Sequence, residues 1–138
     1  MNSPMFRSAV VFAMLLCASA AVGQQLANSD FEPIVTAPTF EAGKGPVVCV
    51  DEAHHNLHTL GDRYFAFGEL LRRDGYVLRS NTAKLEAASL AACDILVISN
   101  ARRSPKNRPE RLSSTLSAFT TDEIAATRNW VEQGGSLH

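Results

Sequence analysis

Asp94-Ile95-Leu96-Val97-Ile98-Ser99-Asn100 sets four consecutive apolar, mostly β-branched residues between an acid and two polar residues. A run this short and this uniformly apolar reads as a strand covered on both faces, the pattern of an interior strand in a parallel sheet. It is therefore expected to be central. Immediately upstream, residues 83–92 are rich in alanine and leucine and predict a short crossover helix. Before that, Tyr76-Val77-Leu78 reads as a strand ending at Ser80-Asn81. Further back, Tyr64, Phe67, Leu70 and Leu71 recur at helical spacing, which predicts a helix over 62–74 closed by Gly75 in the left-handed conformation. Val47-Val48-Cys49-Val50, introduced by Gly45-Pro46, is the first strand.

Downstream, residues 102–117 are basic and broken by proline, a loop long enough to suggest a lid, a binding loop or local disorder. The next helix is announced by Thr120 and Glu123 at capping-box spacing, with Phe119 and Ile124 at the hydrophobic-staple positions. Ile124, Thr127 and Val131 share one face, Trp130 lies beside them, and Gly134 supplies the stop. Strands alternating with helices predict an α/β fold with a parallel sheet and right-handed crossovers. Three strands and a last helix without a following partner are few for such a layered domain. The expectation is a flavodoxin-like three-layer domain over 46–138, truncated at the start of its fourth strand near Gly134-Gly135.

The N-terminus carries a different message. Arg7 precedes a mostly apolar run from Ala9 to Val22, and Ala21-Val22-Gly23 places small residues before Gln24, so residues 1–23 read as a cleaved export signal. The apolar run is short for a bilayer core that needs about 20 residues, which argues against a membrane span after cleavage. Cys17 follows Leu16, where lipid attachment requires a small side chain. The domain is therefore expected in the periplasm or outside the cell. Residues 24–45 form an extended linker punctuated by Pro33, Pro38, Gly43 and Gly45, either free or held to the domain through Phe31 and Phe40. Cleavage leaves Cys49 and Cys93 in an oxidising compartment that permits a disulfide. Burial of each as a small apolar filler is the commoner arrangement.

The formal net charge is -1, and removing Arg7 lowers it to -2, so no basic field recruits nucleic acid or anionic lipid. Arg72, Arg73, Arg102, Arg103, Lys106, Arg108 and Arg111 read as a solvated surface at a helix end and in a loop. Asp51-Glu52-Ala53-His54 spells the acidic box of a helicase, but no phosphate-binding loop G-x-x-x-x-G-K-[ST] accompanies it, so no nucleotide cofactor is expected.

The stretch 45–54, Gly-Pro-Val-Val-Cys-Val-Asp-Glu-Ala-His, together with Asp94 to Ala101 and the helix followed by Gly134-Gly135, resembles an uncharacterised exported family. That family falls within the class I glutamine amidotransferase-like, flavodoxin-like superfamily. The resemblance covers about 90 residues and implies fold more than activity. Catalytic members of the superfamily carry a nucleophile on a tight turn after a later strand, and neither Cys49 nor Cys93 occupies such a turn. No catalytic residue is carried over.

In open α/β sheets ligands gather beyond the C-terminal ends of the strands. Asp51, Glu52, His54, His55 and His58 fall just past the first strand and Asn100 past the third, so adjacency of those strands would put them in one crevice. Such a crevice suits a small polar ligand or a loop of an envelope protein. A divalent metal on His54, His58 and Asp51 requires the intervening segment to be helical. The alternative is that these side chains cap the strand-to-helix turn. Two further readings are a hydrolase or amidotransferase-like enzyme with its nucleophile beyond His138, and a structural subunit of an envelope assembly.

Overall fold

Val48, Cys49 and Val50 are almost wholly buried because their strand has a neighbour on each side. In a computed structural model that describes residues 27–104 and 117–138, β1 (Val47–Asp51) lies between β2 (Val77–Asn81) and β3 (Ile95–Val97). A two-residue strand, β4 (Ser136–Leu137), extends the far side of β3. The result is a four-stranded parallel sheet in the order β2-β1-β3-β4. The expected α/β class and parallel pairing are both present. The export signal at 1–23 lies outside the described residues, as do Lys106, Arg108 and Arg111.

Three helices connect the strands: α1 (Phe65–Arg73), α2 (Ala87–Leu90) and α3 (Thr121–Glu132). Among the described residues no helix is long and apolar enough to cross a membrane. The core on one face of the sheet is Cys49, Leu85, Leu90, Cys93 and Leu96, with Val47, Ile98, Phe119, Ala126 and Trp130 packed around it. Strand alternation turns Val48 and Val50 to the opposite face. Cys49 and Cys93 form a disulfide with Cα atoms 5.7 Å apart. This corrects the reading of two separate apolar fillers, because parallel pairing brings the start of β3 alongside β1.

Several elements are shorter than their apolar patterns. β3 stops at Val97 rather than at Asn100, although Ile98 still donates to the His138 carbonyl at 2.9 Å. Asn100 has φ 48°, and that left-handed turn carries the chain away from the sheet. The helix expected over 62–74 begins only at Phe65, since residues 60–64 are turns. The helix expected over 83–92 shrinks to Ala87–Leu90, with Glu86 and Ser89 capping each other.

The linker is held down, not free, over its later part. Thr39 donates from its amide and hydroxyl to the Asp74 carboxylate, and Phe40 packs edge-on against Tyr76 with ring centroids 5.0 Å apart. Gly75, at φ 95°, closes α1 as expected, and the Phe40 carbonyl occupies the space a Cβ would need.

Candidate functional site

β1 and β3 are hydrogen-bonded neighbours, yet the chain leaves β1 towards β2 on one side and returns to β3 on the other. The crevice beyond their C-terminal ends is the topological switch point, where open α/β sheets place their ligands. Of the residues expected there, Asp51 is paired with His54 and His58 with Asn100, in two layers joined through Asn56, whereas Glu52 and His55 hydrogen-bond to neither pair among the described residues.

The inner layer is buried and internally satisfied. Asp51 is 0% exposed, His54 7% and Glu123 5%. His54 Nδ1 lies 2.9 Å from both Asp51 carboxylate oxygens, and its Nε2 lies 2.9 Å from Glu123 Oε1. Asn56 Nδ2 donates to Asp51 Oδ2 at 2.9 Å and to the Ser99 carbonyl at 3.1 Å, tying the β1 loop to the end of β3. Asn56 Oδ1 accepts from the His54 amide at 2.9 Å, and the Phe119 ring packs 4.5 Å from the imidazole. Glu52 turns elsewhere, accepting from the Leu60 amide and the Ser80 hydroxyl.

Glu123 caps α3 in the expected box: Thr120 donates to Oε2 from its amide at 2.9 Å and from its hydroxyl at 2.8 Å. Its second carboxylate oxygen reaches across the molecule to His54 and to the Leu85 amide at 3.3 Å. Burial alone would raise the Glu123 pKa, but the bonds donated by Thr120, His54 and Leu85 outweigh it and hold the carboxyl down at about 2. Burial likewise opposes charge on His54, and the bonds and negative charges of Asp51 and Glu123 reverse this, raising its pKa above 6.5.

The outer layer is His58, Ser99, Asn100 and Tyr64. Ser99 Oγ and Asn100 Nδ2 each lie 2.9 Å from His58 Nδ1, and the His58 ring stacks on Tyr64 with centroids 5.0 Å apart. An amide nitrogen only donates, so its approach requires a lone pair on Nδ1 and puts the ring proton on Nε2. Ser99 then donates its hydroxyl to the same lone pair. What remains unused is a donor, His58 Nε2–H, and an acceptor, Asn100 Oδ1, neither with a partner among the described residues. His55 and Asn100 are both exposed, and they are the two non-glycine residues with positive φ among the described residues, at 49° and 48°. Each costs roughly 1 kcal/mol of backbone strain.

Chemically, Ser99 Oγ against His58 Nδ1 is the geometry of a hydroxyl facing a base, but Ser99 is buried and Nε2 has no carboxylate behind it among the described residues. The metal arrangement on His54, His58 and Asp51 does not form: residues 52–59 are not helical, and both His54 nitrogens are taken by carboxylates. No group of three potential ligands is placed to hold a metal among the described residues.

Two features escaped the sequence reading. Glu123 was legible as a cap, and its place at the N-terminus of the helix after β3 is the signal that it reaches the strand ends. An apolar groove of about 570 Å³ runs along α3 and β4, lined by Leu85, Ile98, Phe119, Ile124, Val131 and Leu137 among others. Its signal was the Ile124 and Val131 stripe. No family model matches this chain, and neither a curated protein nor a solved structure matches it.

Proposed function

We propose that this chain is an exported α/β binding domain that takes a small, uncharged polar ligand at the β1/β3 switch point. The observation that carries this reading is the pairing of strain with unused hydrogen-bonding capacity: Asn100 is held at positive φ with its own Oδ1 and the Nε2–H of the neighbouring His58 left open. Backbone strain at a strand end is retained where surrounding structure enforces it, and ligand sites are where it concentrates. A donor and an acceptor side by side suit a hydroxyl-rich molecule or the backbone of a partner's loop. They offer little to a bare anion or a metal ion.

The sheet order supports a flavodoxin-like three-layer architecture of the kind implied by the resemblance to the amidotransferase-like superfamily. The Cys49–Cys93 disulfide supports export, since a buried structural disulfide belongs to oxidising compartments. Asp51, Glu52 and His54 serve this site as scaffold, whereas His55, His58 and Asn100 contact the ligand.

Titration calorimetry against a panel of sugars, polyols, simple anions and divalent metals tests the proposal. The expected result is binding confined to the uncharged polyhydroxy compounds and weakened at least tenfold in His58→Ala and Asn100→Ala. Binding that both variants leave unchanged would place the ligand elsewhere. Binding only of metals or anions would contradict the chemistry assigned to the crevice.

A further inference from the structure

The inner layer contains an imidazole that serves the proposed ligand site only as scaffold, and it joins segments far apart in the chain. His54 belongs to the loop after β1, Leu85 to the segment before α2, and Glu123 to the first turn of α3, with 69 positions separating His54 from Glu123. Two ring nitrogens, each 2.9 Å from a carboxylate oxygen, need a proton in both contacts. A neutral imidazole between two carboxylates supplies one. The cluster must hold one proton more, in a place from which water is excluded.

We infer that this extra proton is a latch, fastening the β1 loop and the segment before α2 onto the first turn of α3, and that its loss opens the His54–Glu123 contact. The charged groups facing the ring are Asp51, from the end of β1, and Glu123, from α3. The Phe119 ring covers it from the approach to α3, and the Arg102 amide donates to the His54 carbonyl. Without the proton, a nitrogen lone pair faces a carboxylate oxygen at hydrogen-bond distance, and one contact has to part. Asp51 sits three residues from His54 in the same loop and is steadied by Asn56. The long-range contact to Glu123 is therefore the one that yields. Its Oε1 also accepts from the Leu85 amide and its Oε2 from the Thr120 amide, so a carboxylate that turns away from His54 releases both.

The inference stands apart from the proposed ligand, and its test involves none. Nitrogen-15 spectra of the His54 ring in the full oxidised chain are recorded from pH 5 to 10, alongside hydrogen-exchange protection corrected for intrinsic rate. Protonation of both ring nitrogens is expected at the acid end of this range, with titration displaced upward from the ordinary imidazole value. At least tenfold loss of protection at the Leu85, Thr120 and Glu123 amides should accompany it while Leu96 stays protected. His54→Gln at pH 6 should show the same local loss in a chain that otherwise remains folded. If that variant does not fold, the titration of the unaltered chain decides. A ring that titrates at or below 6.5 overturns the inference, as does unchanged protection at those amides in His54→Gln or across the titration.

Discussion

Two histidines four positions apart are put to opposite uses by what surrounds them. His54 lies between carboxylates that favour its cation, whereas His58 meets two donors that require a lone pair on its Nδ1. The letters at 51–58 located a polar cluster at a strand end, because residues that follow a buried strand fall at the strand ends of a parallel sheet. They did not separate scaffold from contact, since that depends on burial and on Glu123, a residue 69 positions from His54. A pH prediction belongs at this scale. The folded-state pKa of His54 is raised, so its contribution to stability is complete below about 6.5 and is lost as pH rises through the folded value. Glu123 is lowered from 4.5 to about 2, so its contribution is complete above about 4.5 and is lost as pH falls towards 2. The stability difference between the unaltered chain and His54→Ala, measured by urea unfolding, should peak between pH 4.5 and 6.5 at roughly 3–5 kcal/mol, the usual cost of breaking a buried pair. A difference that is flat from pH 3 to 9 contradicts this.

Element boundaries show where local pattern yields to packing. The capping box at Thr120 and Glu123 was legible because both partners are local, and α3 starts where it predicts. Its inward face was legible only in part: Thr127 is buried and Trp130 packs on the core with Ala126, yet Ile124 and Val131 are 46% and 40% exposed along the groove. The Trp130 ring also lies where a side chain on Gly135 would stand, so a β-carbon there is excluded. Helical periodicity cannot choose between two apolar stripes on one helix; the sheet does. Trp130→Ala should therefore cost about 3–5 kcal/mol, and Val131→Ser no more than about 1 kcal/mol, by chemical denaturation. Equal losses would mean that α3 is rotated from the orientation described.

Across the whole molecule, the order of elements followed from alternating apolar strands and helices, whereas the adjacency of β1 and β3 was a condition of the strand-end reading that the sheet supplies. The disulfide did not, because its two cysteines become neighbours only once the sheet has assembled. Their sequence separation of 44 corresponds to about 4 kcal/mol of loop-closure entropy removed from the unfolded chain. Cys49→Ser combined with Cys93→Ser should lower stability by a comparable amount, read from the denaturation midpoint under oxidising conditions; a loss below about 1 kcal/mol would show that the bridge is not formed in solution. The strand-end site makes the sharpest demand on the molecule as a whole, since it requires a ligand to choose one crevice over an apolar groove of 570 Å³. Backbone amide shifts of the nitrogen-15-labelled chain, followed during titration with the polyhydroxy compound that binds most tightly, measure that choice directly. The expected result is saturable shifts centred on His55, His58, Ser99 and Asn100, with Ile124, Val131 and Leu137 unmoved. Shifts centred on the groove residues, or none in the strand-end loops, would contradict a binding site at the β1/β3 switch point.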